Sequence, residues 1–147
     1  MGRILGLDYG RRRIGLAMSD PLNCIALPFE TWENKSVHDI IGKLSTLVQS
    51  YNIRTLVIGW PITLRGEKKR LAKEVERFCQ HLRRRLDVTV ILWDERLTSV
   101  QAKRALHDLN EKPSRNKGKV DRIAAVFLLQ SYMDAHPEQP DSVNRGD

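Results

Sequence analysis

The chain has 147 residues and a formal net charge of +7, with 41% of its residues hydrophobic and 29% charged. This length and composition are typical of one folded globular domain. No apolar run approaches the roughly 18 residues that a membrane span requires, and the N-terminus lacks the layout of a signal peptide. We therefore expect a cytosolic protein with no membrane partner, and the basic balance favours a polyanionic one.

The composition divides the chain into one domain and a short C-terminal tail. Residues 1–135 are expected to form the single domain, and residues 136–147, which contain two prolines and few apolar side chains, are expected to be a disordered tail.

Cys24 and Cys79 are far apart and form no CxxC pair. We interpret both as reduced structural residues in apolar surroundings.

The first third of the chain predicts three consecutive strands. Two apolar runs, residues 4–8 and 14–19, are joined by the short turn 10–13 and predict a β-hairpin. Residues 25–32 predict a third strand, in which Pro28 favours an edge position because proline cannot donate to the ladder.

The rest of the chain predicts alternating helices and strands. Ser36 is the expected N-cap of the first helix, and Thr98, with Gln101 at capping-box spacing, is that of the third. The predicted elements are a helix over 36–51, strands over 55–59 and 88–93, and helices over 68–86, 98–109 and 119–135. Residues 110–118 are expected to be a mobile loop. The order β-β-β-α-β-α-β-α-α predicts an α/β fold, a five-stranded mixed sheet with helices on both faces.

Acidic residues occur where three of these elements begin or end. Asp8 ends an otherwise apolar strand, where a carboxylate without a partner costs several kcal/mol. Asp94 and Glu95 follow the last strand, and Asp121 begins the final helix. Because ligands collect outside the carboxyl ends of parallel strands, we expect these carboxylates to meet at one edge of the sheet.

Such a cluster is suited to metal-dependent phosphodiester cleavage. Two Mg²⁺ or Mn²⁺ ions held by carboxylates can activate water and stabilise the leaving oxygen. Strand alternation puts Asp94 and Glu95 on opposite faces, and periodicity does not say which face is the site. We favour Glu95 as the ligand beside Asp8 and Asp121, with Asp94 anchoring the backbone and Arg96 and Thr98 in supporting roles.

Each carboxylate also has an ordinary structural interpretation. Asp8 could accept hydrogen bonds from the turn at Gly10, and Asp94 or Glu95 could pair with Arg96. Asp121 could complement the dipole of its helix.

Basic residues lie close to the acidic positions in the sequence, as a site that holds a phosphodiester would require. The candidate nucleic-acid contacts are Arg11, Arg12, Arg13, Arg65, Lys68, Arg115, Lys117 and Lys119. Trp60 could stack on a base, although a packing role is favoured.

Four sequence blocks, in this order, are similar to the YqgF/RuvX family: residues 5–10 (LGLDYG), 57–61 with Gly66, 94–99 with Ala102, and 121–125 with Leu129 and Gln130. The resemblance implies a ribonuclease H-like fold related to Holliday junction resolvases. It also implies a metal-dependent nuclease implicated in maturing the 5′ end of pre-16S ribosomal RNA, with Asp8, Glu95 and Asp121 at the family's acidic positions. Arg122, where a small residue is usual, and Trp60, where an aliphatic one is usual, depart from the pattern.

Three functions follow as hypotheses. The first is a Mg²⁺-dependent nuclease acting on structured precursor ribosomal RNA, with the small ribosomal subunit as a partner. The second is a DNA junction resolvase, which shares the metal chemistry. The third is a non-catalytic RNA-binding or ribosome-associated module with structural carboxylates. The oligomeric state is not predicted.

Overall fold

The structure, a computed structural model, describes residues 2–61, 66–110 and 117–137. Its elements are β1 Arg3–Tyr9, β2 Arg13–Ser19, β3 Ala26–Glu33, α1 Val37–Tyr51, β4 Ile53–Trp60, α2 Gly66–Arg85, β5 Thr89–Asp94, a 3₁₀ helix Glu95–Leu97, α3 Val100–Asn110 and α4 Lys117–Ala135. The predicted order is confirmed. Most of the expected mobile loop, at 111–116, and most of the expected tail, at 138–147, lie outside the described residues.

The five strands form one mixed sheet in the order β3-β2-β1-β4-β5. Strands β1, β2 and β3 are antiparallel neighbours, whereas β1, β4 and β5 run parallel. Strand β3 is at the edge, as Pro28 predicted, since an edge strand tolerates a residue that cannot donate to a further strand. The parallel half therefore brings the carboxyl ends of β1, β4 and β5 to one edge of the sheet.

Both faces of the sheet are covered, because successive strand residues point to opposite sides. On one face Leu7 and Ile58 pack with buried side chains of α1 and α2, including Leu44 and Phe78. The opposite face packs against α4, whose buried contacts to the sheet are Ala125, Leu128, Leu129 and Met133. Burying a large apolar side chain contributes about 1.5–3 kcal/mol, so two such layers position the strand ends firmly.

The helix starts follow local capping chemistry. The Ser36 hydroxyl accepts from the Asp39 amide at 3.1 Å, as predicted for α1. For α3 the predicted cap is wrong by one residue: Ser99, rather than Thr98, accepts from the Ala102 amide at 3.0 Å. Thr98 instead ends the 3₁₀ helix, where its amide donates to the Glu95 carbonyl.

The cysteines behave differently from one another. Cys79 is buried, and its burial raises the pKa of the thiol to about 12, which suits an inert structural residue. Cys24 is exposed, so the expectation of apolar surroundings is wrong for it. It lies in the turn between β2 and β3, where its amide donates to Asp20. None of the described helices is long and apolar enough to cross a bilayer.

Candidate active site

Asp8 lies at the sheet edge where the parallel strands end. It is the penultimate residue of β1 and pairs across the antiparallel ladder with Gly15. Leu7 pairs with Ile58 in parallel β4, so the next step along both strands brings Asp8 beside Gly59. The side chain of Leu7 belongs to the α1 and α2 layer, and Asp8 therefore points to the face that α4 covers.

Glu95 lies on the same face as Asp8. Trp93, two residues earlier, packs into the layer formed with α4. A Cβ atom on Gly59 would be 3.2 Å from Glu95 Oε2, which places the Glu95 carboxylate directly over Gly59. The glycine thus leaves room for a carboxylate between β4 and α4.

Asp94 has a different environment. Its carboxylate accepts from the Arg96 amide at 2.9 Å and from the Arg96 guanidinium at 2.7 Å, and it caps the 3₁₀ helix. These hydrogen bonds lower the pKa of Asp94. Its charge is therefore satisfied locally, and the structure brings Glu95 rather than Asp94 toward Asp8.

Asp121 lies on α4, over the same face of the sheet as Asp8 and above the neighbouring strand β2. The backbone of α4 at Asp121 packs so closely on Gly15 that a Cβ atom at Gly15 would overlap its carbonyl group. Arg13 Nε donates to Asp121 Oδ2 at 2.6 Å. Asp121 consequently stands next to Asp8 and carries an arginine counter-ion.

The Asp8 carboxyl group is electrostatically unusual. Burial, as the largest cause, and the negative charges of Glu95 and Asp121 together raise its pKa from the ordinary 3.8 to about 7. The structure records no hydrogen bond or ion pair to the Asp8 side chain from any described residue, so the expected alternative, acceptance from the turn at Gly10, is not what is observed. Three carboxylates thus share a site in which Asp8 has no compensating donor.

A cavity of about 400 Å³ opens over this site. It is lined by Asp8, Gly10, Arg11, Arg12, Arg13, Leu71, Lys117 and Asp121. Four of the predicted nucleic-acid contacts therefore share a cavity with two of the predicted metal ligands. Such a mixture of charges can hold a cation and a phosphate group side by side.

The four basic residues in the cavity are not equivalent. The Arg11 guanidinium contacts both carboxylate oxygens of Glu74 on α2, with its closest contact at 3.0 Å. Arg13 is paired with Asp121, whereas Arg12 and Lys117 are exposed. Lys119 is also exposed but does not line the cavity. Predicted contacts at Arg65, Arg115 and the side chain of Lys68 lie outside the described part of the structure.

The carboxylates suit a divalent cation, with one qualification. In the described ranges no three acidic, histidine or cysteine side chains are grouped closely enough to hold an ion by themselves. Mg²⁺ nevertheless takes only one or two carboxylates and completes its octahedron with water and substrate phosphate oxygens. An uncompensated Asp8 beside two further carboxylates supplies the oxygen ligands and the negative charge that such an ion requires.

Two residues that depart from the family pattern have structural contacts. Arg122 donates to the Thr31 hydroxyl at 3.2 Å, and that hydroxyl donates to the Gly118 carbonyl at 2.6 Å, so Arg122 braces the start of α4 against β3. Trp60 packs against the α1 and α2 layer and donates to Glu76 at 3.0 Å. The favoured packing role of Trp60 is the one observed.

Sequence reasoning missed Gly15 and Glu74. A glycine alternating with Arg13 and Ala17 inside a strand is a signal of close backbone approach, and it was available in the sequence. Glu74 carried no such signal, because its partner Arg11 is 63 residues away. A second cavity of about 470 Å³ between α3 and α4, bordered by Trp93 and Phe127, was also not anticipated.

Comparisons with known proteins show the family of the chain. Residues 2–135 match the model of the RuvX family, described as a Holliday junction resolvase. The chain is 41% identical over 133 residues to a protein of Syntrophus aciditrophicus named "Putative pre-16S rRNA nuclease", covering 90% of this chain and 89% of that one. A protein of Acetivibrio thermocellus with the same name is 40% identical over 135 residues, covering 90% and 96%.

A solved structure shows the same fold. The RuvC protein of T. thermophilus in complex with a Holliday junction substrate matches with a TM-score of 0.61 at 12% identity, covering 92% of this chain and 96% of that one. The ribonuclease H-like fold and the resemblance noted in the sequence are confirmed.

Proposed function

The chain belongs to the RuvX family, and we propose that it is a divalent-cation-dependent nuclease that trims the 5′ end of precursor 16S ribosomal RNA. The observation that carries this proposal is the uncompensated carboxylate of Asp8, placed with Glu95 and Asp121 at one edge of the sheet and open to a basic cavity. With a ribosomal precursor as substrate, the protein acts in the cytoplasm and contacts the small ribosomal subunit.

The three carboxylates are the proposed ligands of Mg²⁺ or Mn²⁺, with two ions as the expected number. When bound, these ions supply an activated water and neutralise charge on the leaving oxygen. Asp8 lies between the other two carboxylates and would hold a cation together with either of them. Glu95 holds its place over Gly59, and Asp121 holds its place against Gly15. Asp94 and Arg96 support Glu95 by fixing the 3₁₀ helix in which Glu95 lies.

Basic residues of the cavity are the proposed phosphate contacts. Arg12 and Lys117 are exposed at its wall, and Lys119 extends the same charge along α4. Arg11, braced by Glu74, shapes the turn that presents Arg12. We assign Arg65, Lys68 and Arg115 to the same surface from the sequence. Contacts of this kind supply affinity and make it depend on salt, but they do not read sequence.

A DNA junction is the second candidate substrate. The family description names a Holliday junction resolvase, and the matched RuvC structure holds a Holliday junction. The metal site would be the same for RNA and DNA. We place the ribosomal precursor first because the relatives at about 40% identity carry that name.

The deciding experiment is a cleavage panel with the full-length chain. Precursor 16S RNA and a four-way DNA junction are incubated with Mg²⁺, Mn²⁺ or EDTA and with wild type, Asp8→Asn, Glu95→Gln or Asp94→Asn. We expect the RNA to be cut only with a divalent cation. Asp8→Asn and Glu95→Gln should reduce the cleavage rate by more than the ~10–100-fold that is typical when a residue only supports a metal ligand.

Asp94→Asn is the matched control: it changes the neighbouring carboxylate, whose partner is Arg96 and which only supports Glu95, so its loss of activity should stay within ~10–100-fold. Full activity in Asp8→Asn would overturn the proposed site. Cleavage of the junction alone would make the protein a resolvase, and tight RNA binding with no cleavage of either substrate would make it a non-catalytic module.

A further inference from the structure

We infer that Arg13 is a displaceable counter-ion of Asp121, released onto the substrate phosphate when a divalent cation takes Asp121 as a ligand. This inference rests on the proposed cation site. It adds a coupling between cation binding and nucleic-acid binding that the three carboxylates alone do not provide. Arg13 is a positioning residue for Asp121 before the cation binds and a phosphate contact afterwards.

The position of Arg13 follows from strand register. Arg13 is the first residue of β2 and shares a face with Gly15, the ladder partner of Asp8. Its guanidinium therefore stands over the same edge as the carboxylates, and Nε reaches Asp121 Oδ2 at 2.6 Å. A charge-assisted hydrogen bond of this length is strong locally, yet it uses a single nitrogen of the guanidinium. No bond to the two terminal nitrogens of Arg13 is recorded from the described residues.

The two aspartates of the cavity are compensated unequally. Asp121 has Arg13 as its partner, whereas no hydrogen bond or ion pair to the Asp8 side chain is recorded among the described residues. A divalent ion at Asp121 would compete with Arg13 for the negative charge of the Asp121 carboxylate. The side chains of Arg13 and Asp121 are 37% and 19% exposed, so solvent screens their attraction. The free-energy cost of separating Arg13 from Asp121 is therefore small.

Released Arg13 remains inside the cavity. The cavity measures about 400 Å³ and also presents Arg12 and Lys117. A guanidinium stays protonated and matches a phosphate with two parallel hydrogen bonds, which a lysine cannot do. Cation binding thus adds positive charge to the cavity twice, through the ion and through a freed arginine. Thermodynamic linkage then requires nucleic acid to tighten cation binding by the same factor.

The first test is calorimetric titration of the full-length protein with Mn²⁺ in the absence of nucleic acid. Arg13→Gln should bind Mn²⁺ about three- to ten-fold more tightly than wild type, because the competing cation is gone. Arg12→Gln is the matched control: it removes the same charge from the same cavity, but from an exposed side chain for which no carboxylate partner is recorded in the described part of the chain. Its Mn²⁺ affinity should change by less than about two-fold.

The second test measures binding of a fluorescent single-stranded RNA in EDTA and in Ca²⁺, with the probe checked for integrity. Arg13→Gln should weaken RNA binding about five-fold in Ca²⁺. In EDTA the loss should be very small, because Arg13 is then still bound to Asp121 and does not contact the RNA. Arg12→Gln should weaken RNA binding by the same factor in both. Arg13→Lys should recover part of the difference, and it replaces Arg13→Gln if that variant does not fold.

Two results would overturn the role of Arg13 while leaving the nuclease intact. One is weaker Mn²⁺ binding in Arg13→Gln, which would make Arg13 only a support for Asp121. The other is an equal loss of RNA affinity in EDTA and in Ca²⁺. If wild type itself binds no Mn²⁺, the proposed cation site fails and the inference fails with it.

Discussion

Gly15 of β2 and Asp121 of α4 are in direct backbone contact, with no space between them for a side-chain carbon at Gly15. Since Gly15 is also the ladder partner of Asp8, this contact sets how near the two aspartates come. The distance between β2 and α4 therefore sets the separation of the two carboxylates in the site.

Replacement of Gly15 by alanine should be strongly destabilising. The added Cβ meets the Asp121 carbonyl group, which is helix backbone and cannot rotate away. We expect a loss of about 1–3 kcal/mol in the free energy of unfolding, together with weaker Mn²⁺ binding as α4 shifts. Urea denaturation and calorimetry measure the two effects.

Gly42→Ala is the control for that variant. Gly42 lies inside α1, where an added Cβ meets nothing within 4 Å. Alanine is the better helix former there, so the free energy of unfolding should rise by about 0.5–1 kcal/mol. Equal effects of the two substitutions would contradict the close contact of β2 with α4.

The stability of the cation-free protein should depend on pH through Asp8. Its pKa is about 7 in the folded state against an ordinary 3.8, so the folded state binds the extra proton between these values. The stabilisation from protonated Asp8 is therefore present below about pH 4 and is lost as pH rises to about 7. Asp8→Asn should raise the free energy of unfolding in EDTA at pH 8, by at most about 4 kcal/mol.

Asp20→Asn should have the opposite effect. Hydrogen bonds from the backbone, the Ile25 amide foremost, lower the pKa of Asp20, so its charged form stabilises the fold above its ordinary pKa. Asparagine keeps an acceptor oxygen but loses the negative charge, so these hydrogen bonds weaken and stability at pH 8 should fall. Chemical denaturation of both variants in EDTA compares them, and a destabilised Asp8→Asn would show that the Asp8 charge is compensated after all.

Cation affinity should rise with pH across neutrality. An ion needs deprotonated Asp8, and with a pKa of about 7 that form increases roughly tenfold between pH 6 and pH 8. Titrations with Mn²⁺ at the two pH values should differ by about that factor and release protons at pH 6. Asp8→Asn should lose the pH dependence together with most of the affinity.

Gly59→Ala should impair cleavage more than folding. The added Cβ would lie 3.2 Å from Glu95 Oε2 and 3.4 Å from Leu128, so the carboxylate is pushed outward while the fold yields by a few tenths of an ångström. A ligand misplaced by about 1 Å can reduce rates by about 100-fold, so the smaller displacement expected here should reduce the cleavage rate by less than that. Cleavage rates and thermal melts of the variant distinguish the two effects; an unchanged rate would place Glu95 outside the site.

Trp60→Phe should reduce stability and spare nucleic-acid binding. Phenylalanine keeps the packing against the core but loses the hydrogen bond to Glu76, which is worth about 1 kcal/mol. RNA affinity in Ca²⁺ should be unchanged. A loss of affinity with unchanged stability would instead assign Trp60 to base stacking.

Much of the fold was predictable because its signals are local. Apolar periods of two and of 3.6 residues predicted the five strands and four α-helices found in the described residues. Pro28 placed β3 at an edge, and Ser36 marked the start of α1. The errors are also local. Thr98 and Ser99 are both competent caps, and only the backbone path out of the 3₁₀ helix selects Ser99.

The sequence by itself determined the order of elements, the fold class, the family resemblance and the three acidic positions, because each depends on residues near one another in the chain. The tertiary structure alone decided that Glu95 rather than Asp94 turns toward Asp8, since both faces of β5 are covered and only the packing of α4 distinguishes them. It also decided the partner of Arg13, which lies 108 residues away at Asp121. Such a pairing depends on how closely a helix approaches a strand, and no spacing within the sequence encodes that distance.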